Sequence, residues 1–208
     1  MGADAALNRG GGEATGRRPD AGGDPAGAFD WTPALRQLTA IRALTVRVPW
    51  EWAIRCGGKP VENRGKPMMR DGGLLWLHAG KRDRWDDDGQ DSPLVRAAWL
   101  RRVPLGGLRQ GTYPEPCGAI TALMVIKGCH FASECMHRLD AQNARLPAGC
   151  SPWAARGQYH IEIAAVHPLG VPVPARGMPG MWPVPGETLT WLRAEITRTA
   201  ADTGPKAG

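Results

Sequence analysis

The sequence predicts one α+β domain built around a small, curved or closed sheet, preceded by a disordered tail. Three observations lead to this fold class. The 208 residues are enough for one domain with a real core but too few for two comfortable ones. The 28 Gly and 19 Pro indicate many turns and short elements. Short runs with strand periodicity are mixed with only a few segments of helical spacing.

Residues 1–38 are predicted to form a disordered Gly/Ala-rich tail. They carry almost no large apolar side chain before Phe29 and Trp31, so they cannot offset the entropy lost on ordering. The Gly- and Pro-containing end, 201–208, should fray for the same reason. The folded domain is therefore expected to span 39–200.

The first ordered element is predicted to be a half-buried strand at 41–48, because apolar and polar residues alternate there. Pro49 ends this strand and suits the first turn of a short helix, which Gly57-Gly58 terminates. Residues 60–64 should then be extended, with Val61 facing the core.

The rest of the chain predicts further short strands and two helices. Strands are predicted at 74–78, 118–126 and 158–163, one capped helix at 93–102, and a last helix through Leu189, Leu192 and Ile196. Residues 128–151 are expected to be irregular or partly helical. The run 167–186 is punctuated by Pro and Gly.

Charge favours an anionic partner. The formal net charge is +6, and residues 41–84 alone hold ten Lys or Arg against four Asp or Glu. Cations interleaved with Trp50, Trp52, Trp76 and Trp85 suit a surface where phosphates are bound and bases stack. The alternative is that most of these Trp are core residues, as Trp153 and Trp182 are expected to be.

The stretch GGKPVENR, residues 57–64, places Lys59, Glu62 and Arg64 within six positions. Along an extended segment Glu62 and Arg64 would share one face. These side chains could form an anion-binding or acid–base cluster. They could equally form an ion-pair network that braces the turn between helix and strand.

This stretch fits the pattern GxKxxExR at all four specified positions, and other motifs surround it in order. A strand and a Pro-Trp helix start precede it at 46–53, and an apolar strand ending in His-Ala follows at 74–79. Ser-Pro-Trp at 151–153 and Gly-Met-Trp at 180–182 lie further on. In these features, over about 41–186, the chain resembles the ASCH domains of the PUA-like superfamily.

The resemblance implies a PUA-like small mixed β-barrel flanked by short helices, with a cleft beside the motif that binds RNA or a modified nucleoside. Some small ASCH proteins are ribonucleases or amidohydrolases acting on acetylated cytidine. In the amidohydrolase type, the position of Glu62 is a threonine thought to be the nucleophile, and that hydroxyl is absent here.

The leading hypothesis is therefore a module that binds RNA or a nucleotide, and the alternative is a hydrolase using the same cleft. The residues predicted to bind the ligand are Arg47, Trp50, Lys59, Glu62, Arg64, His78, Lys81 and His160. In an enzyme, Lys59 would stabilise negative charge while Glu62 or His160 moved the proton. A histidine hydrogen-bonded in the core or at the rim is the structural alternative for His78 and His160. Arg176 is a further candidate phosphate contact.

The five cysteines form an odd set and, with no apolar secretion signal at the N-terminus, favour a reduced, cytoplasmic location. The longest uncharged apolar run, 118–126, is about half the length that spans a bilayer, so no membrane partner is expected. The ligand-type residues Cys129, His130, Cys135, His137 and Cys150 have the spacing C-H-x4-C-x-H, which fits no regular zinc finger. They are interpreted as scattered thiols and histidines, and no metal or cofactor is predicted.

Overall fold

The computed structural model describes residues 41–83, 92–102, 116–138 and 150–202. The predicted tail, 1–38, lies outside these ranges, as do Trp85 and most of the predicted C-terminal end. Each statement below applies to the described ranges.

The chain forms an α+β domain, as predicted. In chain order the elements are β1 Arg42–Val48, α1 Trp50–Arg55, β2 Val61–Arg64, β3 Gly73–Asp83, α2 Pro93–Arg102, β4 Ala119–Phe131, a 3-10 helix Ala132–Arg138, β5 Tyr159–Pro174, β6 Met181–Pro183 and α3 Gly186–Asp202. The first strand and the first two helices were predicted at these places. Helix α3 extends two residues into the end predicted to be disordered.

All six strands belong to one mixed sheet with the order β2-β5-β4-β3-β1-β6. Only β1 and β3 are parallel; every other neighbouring pair is antiparallel. Strands β2 and β6 are the two edges, so the sheet is not closed within the described residues.

Strands β4 and β5 are much longer than the sequence predicts. Strand β5 continues through Pro168, Pro172 and Pro174, although proline cannot donate to a ladder. The prolines are tolerated because β2 pairs with only the first four residues of β5. Beyond these residues, the side of β5 that faces away from β4 is an open edge of the sheet. There Glu195 of α3 accepts a hydrogen bond from Val171 N at 2.7 Å.

Apolar side chains pack on both faces of the sheet. One cluster, which includes Trp76 and Trp182, packs beneath Leu192 and Ile196 of α3. The other joins Leu44, Met124 and Ile161 to Ile54 of α1, and a smaller group packs α1 on α2. No helix of the described ranges combines the length and apolarity needed to cross a membrane.

Candidate functional site: a cavity at the GxKxxExR motif

The turn between α1 and β2 depends on the first glycine of the motif. A Cβ atom on Gly57 would lie 2.8 Å from Ala53 Cα and 2.9 Å from its carbonyl oxygen. Because glycine has no Cβ, the backbone at Gly57 can approach Ala53 closely, and Lys59 N donates to Ala53 O at 2.9 Å. The next residue, Gly58, takes the left-handed conformation at φ 75°. The chain thereby turns back along α1 and carries Lys59 inward.

The three charged residues of the motif meet in one ion-pair network, which we call the motif cluster. Lys59 Nζ donates to Glu62 Oε2 at 2.8 Å and also to Val61 O. Arg64 Nη2 lies 3.1 Å from Glu62 Oε1 and donates to Thr45 O at 2.7 Å. The side chains of Lys59 and Glu62 are only 2% and 10% exposed, so this is a largely buried network.

The motif cluster lines a cavity of about 390 Å³, the motif cavity, at the low end of small-ligand pockets. Five of the eight predicted ligand-binding residues line it: Arg47, Trp50, Lys59, Glu62 and Arg64. Ser92 and Leu94 at the start of α2 contribute to the lining, as do Pro152, Trp153 and Ala155.

The described lining is cationic. Three cations stand against one carboxylate, which leaves an excess of two positive charges. Arg64 Nε is buried and has no hydrogen-bond partner among the described residues. An excess of positive charge in a cleft attracts anionic ligands.

Trp153 and Asn63 were not predicted to belong to a site. Asn63 Nδ2 donates to Trp153 O at 2.9 Å, and Asn63 Oδ1 accepts from Ala155 N at 3.0 Å. The segment 150–155, which we call the wall segment, is thereby attached to β2. Only tertiary structure brings these residues together, so no local pattern could have identified them.

His78, Lys81 and His160 do not line the motif cavity. His78 is 1% exposed, lies against Trp182, and its Nε2 is 3.0 Å from Ala175 O. Burial lowers the pKa of His78, so the structural alternative describes it better. Lys81 and Arg176 are exposed elsewhere on the surface.

His160 belongs to a second polar group, the Cys/His cluster, made of His130, Cys135, Cys150 and His160. Their potential ligand atoms all lie within 4.8 Å of one another. Cys135 Sγ is 3.0 Å from His130 Nε2 and 3.1 Å from His160 Nδ1, which is also 3.5 Å from Cys150 Sγ.

The prediction that the ligand-type residues are scattered is therefore wrong for His130, Cys135 and Cys150, while Cys129 lies outside the cluster. The pairing of β4 with β5 sets His130 directly opposite His160, and the 3-10 helix and the wall segment bring in the two cysteines. Burial raises the pKa of Cys150 to about 12, and the neighbouring Cys135 adds to the effect. None of the five cysteines, all of them described, forms a disulfide. The side chain of His137 lies outside the described part.

Glu51 is a further buried carboxylate that the sequence did not single out. It is fully buried, accepts from Arg55 Nε at 2.8 Å and is hydrogen-bonded by Thr121 of β4. It attaches α1 to the sheet and does not line the motif cavity.

A larger groove of about 630 Å³ runs between the end of β5 and α3, beside the exposed Trp191. Its walls are mostly apolar, and its charged residues include the ion pair of Glu195 with the exposed Arg198. It lacks the concentration of cations and aromatic rings found at the motif, so the motif cavity is the better candidate site.

A scan of the chain against protein-family models found no match, and a search of curated proteins found no relative.

Proposed function

We propose that this protein is an ASCH-type module that binds RNA or a nucleotide in the motif cavity. The observation that carries the proposal is the composition of the cavity: the cations Arg47, Lys59 and Arg64 surround one carboxylate beside the rings of Trp50 and Trp153. Cations for phosphates and flat rings for bases are the two requirements of single-stranded nucleic-acid recognition.

The proposal includes a PUA-like fold, in which the six strands form part of a curved barrel. Ladder irregularities support this curvature. Register shifts occur between β1 and β3, between β3 and β4, and at three places between β4 and β5. Bulges of this kind bend and twist a sheet.

Each member of the motif cluster has a distinct part in binding. Lys59 is 3% exposed and engaged by two acceptors, so it braces Glu62 instead of reaching a phosphate. Glu62, with a cation on each oxygen, is a fixed acceptor for a base amino group. Arg64 and Arg47, which is exposed at the end of β1, line the same cavity and supply cations for the phosphate.

The amidohydrolase form of the hydrolase hypothesis is weak because the described lining offers no activated nucleophile. Thr45 Oγ1 donates to Met178 O at 3.1 Å and accepts from Trp182 Nε1 at 3.0 Å. Ser92 Oγ accepts from Val95 N at the start of α2. Since Lys59 is occupied by Glu62, neither hydroxyl is paired with it.

The absence of disulfides among five cysteines agrees with the proposed cytoplasmic, reducing location.

The test is a salt titration of binding to a fluorescently labelled mixed-sequence single-stranded RNA, followed by anisotropy. We expect log K to fall linearly with log salt, and Arg47→Ala to reduce the slope by about 0.7. Arg64→Ala should weaken binding at every salt concentration. Lys127→Ala removes an exposed cation that lies outside the cavity lining, and it should bind as the wild type does.

Three results would overturn the proposal. Equal affinities for Arg47→Ala, Arg64→Ala and the wild type would place any RNA site elsewhere. Shortened RNA recovered on a gel from the wild type, but not from Arg64→Ala, would establish the hydrolase instead. No binding at low salt would exclude an RNA module and direct the search to free modified nucleosides.

A further inference from the structure

We propose that His130, Cys135, Cys150 and His160 bind one Zn²⁺ ion, which holds the wall segment against the sheet. The proposal rests on the Cys/His cluster alone and does not depend on what the motif cavity binds.

The donor set matches zinc in type and spacing. Two thiolates and two imidazoles form a closed four-ligand set typical of structural zinc sites. With zinc bonds of about 2.3 Å to sulfur and about 2.0 Å to nitrogen, tetrahedral ligands are separated by about 3.5 Å. Three of the four nitrogen–sulfur distances in the cluster are 3.0, 3.1 and 3.5 Å, and all the ligand atoms lie within 4.8 Å of one another, so each needs to move by only about 1 Å or less.

The outer nitrogen of His160 has an acceptor that fixes its inner nitrogen as a ligand. His160 Nε2 lies 2.8 Å from Ala155 O, which can only accept, so Nε2 carries the proton and Nδ1 presents its lone pair. Carbonyl partners of this kind orient the histidines of zinc sites. His130 Nδ1 lies 2.7 Å from Glu162 Oε1 without hydrogen-bond geometry, and its Nε2 faces Cys135 Sγ.

Burial distinguishes a structural metal from a catalytic thiol. Cys135 is 1% exposed, and neither cysteine lines the motif cavity. A Cys–His nucleophile needs an open approach for its substrate. Four protein ligands complete the coordination of zinc, as in sites that stabilise a fold.

The site joins three separate parts of the chain. The first is the continuous run of β4 and the 3-10 helix, which carries His130 and Cys135. The other two are the wall segment, which begins at Cys150, and β5, which carries His160. Ala155 at the other end of that segment contacts His160. Zinc would thus fix both ends of the wall segment to β5.

The experiment measures zinc in the full, untagged chain by elemental mass spectrometry after purification without added metal. We expect one zinc per chain in the wild type, and loss of at least tenfold in Cys150→Ala and Cys135→Ala. Cys129→Ser is the matched control, because this half-buried thiol is the neighbour of His130 and lies outside the cluster. It should keep one zinc per chain.

Cobalt substitution provides a readout that does not depend on the folding of a variant. Co²⁺ added to chelator-treated wild type should show the visible absorption of a tetrahedral thiolate site, and one equivalent of Zn²⁺ should abolish it. Cys150→His keeps a ligand and should still bind cobalt, with a weaker sulfur-to-metal band. Zinc well below one equivalent, no cobalt spectrum, or a Cys135–Cys150 disulfide in protein purified under reducing conditions would overturn the proposal.

Discussion

The two polar clusters lie on neighbouring strands, yet they are assembled in opposite ways. The motif cluster comes from six consecutive positions, 59–64, and its ion pairs join residues two or three positions apart. The Cys/His cluster draws its four members from β4, a 3-10 helix, the wall segment and β5. The residues of the motif cluster are brought together by a local turn, whereas those of the Cys/His cluster are brought together by the pairing of distant strands.

The difference shows what each cluster requires for its function. The motif cluster is braced by its own counter-charges and adds cations to the cavity lining. The Cys/His cluster sets four possible ligand atoms within 4.8 Å of one another, a donor set suited to a cation at its centre. Asn63 connects them, because it faces His160 in the ladder and holds the wall segment.

Removing zinc should have the largest effect on stability, since the metal ties three segments. At free zinc about 1,000-fold above its Kd, we expect chelation to lower the free energy of unfolding of the wild type by about 4 kcal/mol. Urea unfolding with and without chelator measures this difference. Cys150→Ala should show no response to the chelator, while Cys129→Ser should respond fully. Identical unfolding of zinc-loaded and chelated wild type would deny the metal a structural role.

Glu62→Ala should produce the next largest loss, about 3 kcal/mol, because it leaves the buried Lys59 ammonium without its counter-charge. The comparison is Arg198→Ala, which breaks a pair whose arginine is half exposed and should cost less than about 1 kcal/mol. Thermal and urea unfolding both report the difference.

The double variant Lys59→Met/Glu62→Leu tests whether the loss in Glu62→Ala comes from the unpaired charge of Lys59. It removes both charges of the buried pair, so it should recover part of the stability that Glu62→Ala loses. A loss for Glu62→Ala as small as that for Arg198→Ala would mean that Lys59 readily reaches water.

Gly57→Ala tests the turn that creates the motif cluster. The new methyl group would meet Ala53 Cα at 2.8 Å, so we expect a loss of about 2 kcal/mol and weaker RNA binding. The control is Gly65→Ala, where the added methyl group meets open space and the loss should stay below about 0.5 kcal/mol. Equal stability of the two variants would show that α1 can move away from the turn.

Asn63→Ala tests whether the two clusters are coupled through the wall segment. It removes a donor to Trp153 O and an acceptor from Ala155 N, which should cost about 1.5 kcal/mol. Asn63→Asp keeps the acceptor and should lose less. If the segment transmits the effect, Asn63→Ala should also weaken zinc affinity. Unchanged zinc affinity would make the clusters independent.

The smallest effect concerns the buried histidines outside both clusters. Burial lowers the pKa of His78 and of His167. Glu51 opposes this shift at His78, and Lys81 adds to it. Below the ordinary histidine pKa of about 6.5, the unfolded chain therefore binds more protons than the folded one, and stability falls as the pH falls.

This dependence is measured by urea unfolding from roughly pH 7.5 to roughly pH 5.5. His78→Gln preserves a donor for Ala175 O and should show a shallower decline than the wild type. The same slope in both proteins would assign the acid sensitivity to other groups.

The sequence predicted those elements whose positions are determined by local periodicity and by flanking Pro and Gly residues. Alternation identified β1, Pro49 and Gly57-Gly58 bounded α1, and Ser92-Pro93 began α2. An extended segment with period two placed Glu62 and Arg64 on one face. Lys59 reaches them from the turn at Gly57 and Gly58, which period two does not predict. Trp50 and Arg47 line the same cavity.

The parts that were missed depend on pairing between distant segments. Pro168, Pro172 and Pro174 argue against a strand until the open edge of β5 is known. His160 alternates with apolar neighbours as a cleft residue would, yet β4 and the wall segment cover it.

Because β5 lies between β2 and β4, both sites depend on the register of its first residues. His160 faces Asn63 on one side and His130 on the other. A one-residue insertion between Gln158 and His160 would rotate every following side chain to the opposite face. Homologous chains that keep either site should therefore keep the length of the segment between Cys150 and Glu162.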